Sequence, residues 1–367
     1  MVFTLPSFTA PDFSGPLFTD APLVTFEAAP QRGVVPENYH GTSIFPEYFH
    51  LRQGEWHLLK ESRMDCVVVH EHDGTLVVKE FRNVEKGDLV ACGRSEQGEE
   101  GVFVHDECFN FMAPPTEKFA FRSQTTRETA FSIDYDALYD LLEYEKDHGF
   151  ITWVLGPAVV FDRDAREAFA KLIHQGYVHA LLAGNALATH DMEAGLFSTG
   201  LGQDIYTKQT IRLGHYHHLD ALNTIRGIGS MREAMARGLI RDGVMRAVLE
   251  EDIPFVLAGS IRDYGPLPEV VGNVYEAQDR MRELTARSTT VITMATQLHT
   301  IATGNMVPSY KVENDGTIRP VYFYTVDMSE FAVNKLANRG SLTARSILTN
   351  VQDFVVTVER GLRKRNF

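Results

Sequence analysis

Beyond about residue 130, short continuous apolar runs alternate with stretches whose apolar positions return every three or four residues. A short apolar run bounded by turn formers reads as a strand buried on both faces, and the longer period as a helix with one buried face. Strands are predicted at 151–155, 178–183, 253–258, 289–294, 321–326 and 345–348. Helix-like segments at 164–175, 242–251, 274–286, 329–339 and 350–361 separate or follow them. A leading helix runs from Tyr135 to His148, with Gly149 as its C-cap. Such alternation calls for a parallel sheet covered on both faces.

Upstream the texture differs. MDCVVVHE, Asp73-Gly74 and TLVVKEF predict a hairpin turning at Asp73-Gly74, and Val84–Asp88 and Gly98–Gly101 are further turn signals. Residues 1–35, rich in Pro, Phe and small residues without a period, predict an extended arm packed on another part of the protein or on a partner subunit. The expected fold class is α/β: a parallel, doubly wound sheet in 126–367, with a smaller, mostly β domain in 36–125 on the substrate side. No internal repeat is present.

Three predicted strands end in small-residue turns that open into helices. These are AGNALATHD (Ala183 to Asp191), AGSIRDYGPLPE (Ala258 to Glu269) and ATQLHTIATGNMVPS (Ala295 to Ser309). Open α/β sheets place ligands at such strand ends, where free backbone N–H groups favour anions. Three in one sheet point to a dinucleotide site, although no G-x-G-x-x-G is present. Arg262 and Asp263 suit phosphate and ribose or amide, or pair with each other. The first-turn N–H groups of Thr296-Gln297-Leu298-His299 suit a phosphate or carboxamide, while His299 equally fits a satisfied core histidine. Asp327, after the run Val321–Val326, can accept both hydroxyls of a ribose or cap the helix starting near Ser329.

Composition narrows the partners. A formal charge of −14 on 367 residues excludes a nucleic-acid surface, which needs clustered Lys and Arg, but not a small anion held by local N–H groups. Cys66, Cys92 and Cys108 are too few and scattered for a disulfide framework or a zinc site. The N-terminus lacks signal-peptide character, and no apolar run nears the ~20 residues that span a bilayer. A cytoplasmic protein that does not engage membranes is expected. Gly214-His215-Tyr216-His217-His218 is the densest histidine cluster; without a completing carboxylate or cysteine set it suits proton transfer or substrate binding, or an ordinary surface, rather than metal. Lys118 is either an acid–base lysine in a cleft or an exposed linker residue. Cys108 reads as structural.

The segments GPAVV, ALLAGNALATHD, GHYHHL, FVLAGSIRDYGPLP, ATQLHTIATGNMVPS and VDMSEFAVNKLANRGS occur in this order between Gly156 and Val351. In these the chain resembles the NAD-dependent archaeal-type ornithine cyclodeaminase family, also found as the C-terminal domain of some bifunctional arginine dihydrolases and related to the LOR/SDH group. A weaker likeness continues upstream through PENYHGTSIFPEYFHLRQGEW, RMDCVVV, VEKGDLVACG and PTEKF, so that about four-fifths of the chain is covered. The resemblance implies a deoxyhypusine-synthase-like NAD-binding fold and a homo-oligomer. It implies that NAD is held by Asn185, Ala186, Asp263, Thr296, Gln297, Leu298 and His299, with Asp327 on a ribose and Asn350 and Val351 closing the site.

The implied activity is that of an NAD-dependent ammonia-lyase converting ornithine to proline. A hydride leaves the substrate's Cα for NAD, the distal amine attacks the resulting imine, ammonia departs and the hydride returns. Lys118, His215 and His218 are the candidates for proton transfer, and Asp263 and Asp191 for pairing a substrate ammonium. The family usually has Asp at Asn350, a departure that weakens one cofactor contact, and a Thr-Thr-Asn type sequence where this chain reads Gly41-Thr42-Ser43-Ile44; if that segment meets the substrate, Ile44 in place of an amide puts ornithine itself in doubt. The alternatives are elimination or transfer on another amine, as in homospermidine or deoxyhypusine synthesis, and a non-catalytic NAD-binding module.

Overall fold

The structure, a computed structural model, describes residues 3–111, 135–329 and 341–365. Seven strands of the second part share one sheet: β1 (Ile151–Leu155), β2 (Ala180–Gly184), β3 (Phe255–Ala258), β4 (Val270–Val271), β5 (Thr290–Met294), β6 (Tyr322–Asp327) and β7 (Thr343–Leu348). Their spatial order is β4-β3-β2-β1-β5-β6-β7, and every pairing is parallel. The chain builds outward from β1 in one direction, then restarts at β5 and builds outward in the other. The neighbouring carboxyl ends of β1 and β5 are therefore a topological switch point, where such sheets open a crevice.

β1 (ITWVL) and β5 (TVITM) are buried along their whole length, as strands covered on both faces must be. Alternate residues serve opposite cores. Trp153, Leu155, Leu181, Ala183, Ile292 and Met294 face the larger core. It is shared with α1 (Tyr135–His148), α2 (Arg163–His174), α3 (Asn185–Phe197), α4 (His217–Ile228), α5 (Met231–Ala236), α6 (Val244–Glu250) and α9 (Val351–Arg365). Val154, Leu182, Val256, Val291 and Phe323 face α7 (Val274–Thr285) and α8 (Gln297–Met306). Local sequence sets the helix ends: Asp162 accepts from the Ala165 N–H at 3.1 Å to start α2, and Asn273 does the same for Tyr275 and Glu276 in α7.

The upstream part forms two antiparallel sheets. One is three-stranded, from Glu55–Leu58, Glu47–Arg52 and Val102–Val104; the other is four-stranded. In the latter, Val67–His70 and Leu76–Lys79 form the hairpin predicted around Asp73-Gly74, with Gly74 at φ +88° and Asp73 accepting from Thr75. Thr25–Ala28, inside the stretch expected to be an arm, pairs with Leu89–Cys92, because Phe26 turns inward against the core holding Val68 and Ala91. The earlier phenylalanines pack on their own chain: Phe3 lies 5.1 Å from Tyr144, and Phe13 stacks on Trp56 at 5.1 Å. The two parts meet where Ser309 donates to the Ile44 carbonyl and Tyr310 to that of Leu59. Arg282 and Arg63 share Glu80 across the same seam. Lys118 and nearly all of the helix predicted at 329–339 lie outside the described residues.

Candidate active site

Loops after β1, β2, β3 and β5 enclose a cavity of about 660 Å³ at the switch point, a size suited to a small-molecule or cofactor site. Its floor depends on one close approach. The Gly156 N–H donates to the Met294 carbonyl at 2.8 Å, and a Cβ at residue 156 would lie 2.0 Å from the Ala295 carbonyl oxygen. Ala295 itself takes the left-handed conformation, at φ +50°. The backbones that leave β1 and β5 touch here, and only glycine fits between them.

Two helices start at the cavity wall. Neither α3, after Gly184, nor α8, after Thr296, has a side-chain cap or an acidic residue in its first turn. Their first N–H groups lack intrahelical partners, so both helix starts favour an anion. Arg262, also in the wall, adds a cation. Asp263 is held by the Ser260 N–H at 2.7 Å and by Asn185 Nδ2 at 3.3 Å, while Asn185 Oδ1 accepts from Leu267 N–H at 3.1 Å. Asn185 thus ties the loop after β3 to the start of α3. This donor set fits a dinucleotide: two helix starts and Arg262 for the phosphates, Asp263 for sugar hydroxyls, and Leu155, Leu222 and Leu298 for flat rings.

His299 reaches across from α8 until its Cε1 would lie 3.0 Å from a Cβ on Gly184. Burial pushes its imidazole pKa down, with Asp263 opposing only in part, so the ring is neutral near pH 7.

Elsewhere the wall is formed by Phe161, His190, Leu201, His218 and Leu219. His190 Nδ1 lies 2.8 Å from Glu193 Oε2, one helical turn along α3. Glu193 is fully buried and also accepts from Thr199 Oγ1 at 2.9 Å, Gly202 N–H at 3.0 Å and Leu201 N–H at 3.2 Å. Burial pushes its carboxyl up, but the bonds from His190, Gly202 and Thr199 outweigh this and hold it below the usual carboxylate range. Reading the sequence motif by motif passed over this pair, although a His-x-x-Glu spacing on a helix was the available signal.

Of the residues singled out from sequence, Asn185, Ala186, Asp263, Thr296, Leu298, His299 and His218 line the one cavity. Gln297 is exposed beside it. Asp191 is corrected: it is fully buried, pairing with Arg166 Nε at 2.6 Å and accepting from the Val244 and Met245 N–H groups at the start of α6. It has no face toward a substrate ammonium. The histidine cluster divides, because α4 begins only at His217. His215 is exposed against Tyr216, and His217 Nδ1 bonds Thr199 Oγ1 at 2.9 Å. Asp327 ends β6, and its Oδ1 accepts from Ser329 N–H at 2.8 Å. Asn350 caps α9 through Gln352 N–H at 2.8 Å, and Val351 is buried in the core rather than turned to a ligand. The Gly41–Ile44 segment does not line this cavity; Thr42 bonds Arg63 and Cys66, and Ser43 bonds Glu47.

Residues 137–358 match the family model described as arginine dihydrolase ArgZ-like, C-terminal, Rossmann fold. The ornithine cyclodeaminase of Methanopyrus kandleri is 38% identical over 349 residues, which are 93% of this chain and 79% of that protein. The chain belongs to the ornithine cyclodeaminase family. Among solved structures, a conserved LOR/SDH protein from Methanococcus maripaludis superposes with a TM-score of 0.83 at 32% identity, covering 94% of this chain and 100% of the other. AgrE, solved as a ternary complex with ornithine and NAD+, superposes with a TM-score of 0.58 at 28% identity, over 94% of this chain and 46% of AgrE. This cyclodeaminase-family chain thus spans about half the length of AgrE.

Proposed function

We propose that this protein is an NAD-dependent cyclodeaminase that converts ornithine into proline and ammonia. The observation that carries the reading is the switch-point cavity with its two uncapped helix starts, in a chain whose relatives are named ornithine cyclodeaminases. The AgrE complex with ornithine and NAD+ supports the choice of cofactor and substrate. Bound NAD would supply a hydride acceptor that later returns the hydride.

The chain's own groups do the remaining work. Asn185, Ala186 and Thr296 would present N–H groups to the phosphates, Arg262 would balance their charge, and Asp263 would accept from a sugar hydroxyl. His299, kept neutral, would adjoin the cofactor without adding charge. Asp327 on the same sheet edge would take a second ribose. Phe161, Leu201, Leu219 and Leu222 would exclude water from the reacting carbon, protecting an imine from hydrolysis. His218 would hold or move a proton beside them.

Mass spectrometry of products from isotopically labelled ornithine, with lysine and arginine in parallel, tests the reading. The expected result is labelled proline, one ammonia per proline and no accumulating NADH. Bound NAD with no ammonia from ornithine would instead favour transfer or elimination on another amine.

A further inference from the structure

His190 and Glu193 form a paired imidazole and carboxylate for which the reading above gives no role. Their arrangement has three parts. Glu193 is fully buried and receives four donors, two of them the backbone N–H groups of Leu201 and Gly202, so its carboxylate is fixed whatever occupies the cavity. Because that carboxylate can only accept, the His190 proton must sit on Nδ1, which leaves Nε2 as a lone-pair nitrogen. The ring belongs to the cavity wall, with Phe161 at 5.1 Å and His218 at 6.0 Å between centroids, and Nε2 has no hydrogen-bond partner among the described residues. His190 also stands about 7–8 Å along α3 from the uncapped start at Asn185, five residues at ~1.5 Å each, within reach of a ligand anchored there.

We infer that His190 is the catalytic base and acid of this cavity for an amino-acid α-ammonium, with Glu193 as the residue that positions it. The inference rests on the cyclodeaminase reading. Nε2 takes one proton from the α-ammonium, breaking an N–H bond and leaving the free amine whose electron pair can assist hydride departure from Cα. The proton stays on the imidazolium, opposite the Glu193 carboxylate. It returns to the same nitrogen as that nitrogen leaves as ammonia, so the ring begins and ends neutral. An ammonium is a poor hydride source because its nitrogen has no lone pair to form the imine, which is why a base is needed at this point.

The surroundings suit the task. Glu193 on its own helix bonds the ring, His218 and His217 on α4 lie beside the pair, and the loops after β3 and β5 bring Arg262, Asp263, Tyr264 and His299 to the same cavity. Residues 157–160 and Thr199–Gly200 add none, and on α6 Arg246 and Glu250 bond to each other. Arg262 is the cation that lines the same cavity, from the loop after β3, and His217 Nδ1 bonds Thr199 Oγ1, which in turn donates to the Glu193 carboxylate. A purely structural pair would anchor the turn at 199–202 and nothing more.

The test uses the full chain with NAD and ornithine. His190→Ala should lower kcat by ~10²–10⁴, the usual range for a lost acid–base group. NAD affinity should stay within about threefold, and added imidazole should restore part of the rate by filling the vacated space. Should the alanine variant not fold, His190→Gln, whose side-chain amide can still donate to Glu193, should show the same fall in kcat with NAD binding intact. Glu193→Gln should lower kcat while leaving the KM for ornithine within about threefold. A folded, NAD-binding His190 variant that keeps more than a third of wild-type kcat overturns the assignment, and so does a His190→Ala defect that imidazole leaves untouched. A wild type that makes no proline contradicts the cyclodeaminase reading itself and removes this assignment with it.

Discussion

At the scale of single residues, the half-buried imidazole of His299 makes stability depend on pH. Its folded pKa lies below the ordinary 6.5, so just below that pH the unfolded chain binds a proton that the folded chain refuses. Stability should therefore fall as pH drops from 6.5 toward the depressed value, and His299→Asn should flatten that part of a urea-denaturation profile. Glu193 acts lower on the scale: its carboxyl is depressed, so its contribution is present above the ordinary 4.5 and is lost as pH falls through the folded value. The Asn350 cap is a simpler case, and Asn350→Ala should cost about 0.5–2 kcal/mol by chemical denaturation. Individual orientations were the hardest thing to read from sequence. His190 and Asp191 are adjacent, yet the ~100° step between helical neighbours turns one into the cavity and the other into the core. Polarity alone favoured the aspartate, and nothing in the motif revealed that Arg166, 25 positions earlier, already holds it.

At the scale of elements, two joints carry the site. Asp191 links α3 to α2 through Arg166 and to α6 through the Val244 and Met245 amides, and Arg166 also bonds Asp242. Removing one partner leaves a buried charge, so Asp191→Ala should destabilise by roughly 3–5 kcal/mol in urea, far more than a surface aspartate. Contact between the loops after β1 and β5 leaves no room at Gly156, and Gly156→Ala should cost roughly 1–3 kcal/mol while weakening NAD binding in calorimetry. Most of these elements were legible in advance, because a strand such as ITWVL or TVITM buried on both faces leaves an uninterrupted apolar run. β4 was not, having only two residues, and neither were α4 and α5, whose outward faces break the apolar rhythm. Thr25–Ala28 was hidden by its Pro- and Phe-rich surroundings, since its strand character comes from its partner Leu89–Cys92.

At the scale of the whole molecule, strand order decides where chemistry can occur. The β4-β3-β2-β1-β5-β6-β7 arrangement could not be read along the chain, but the turns after β2, β3 and β5 could, and they meet because the order reverses between β1 and β5. No helix among the described residues is long and apolar enough to cross a membrane. If the cavity holds NAD in the folded state alone, NAD at a hundred times its Kd should raise unfolding stability by ~2.7 kcal/mol, seen as a higher Tm. The central claim is that a hydride leaves the substrate's α-carbon and comes back to it. Ornithine carrying deuterium at Cα tests this most directly: the account predicts proline that retains the deuterium at Cα, with no NADH left after turnover. Proline whose α-deuterium has been replaced by solvent hydrogen, or NADH formed in step with product, would contradict it.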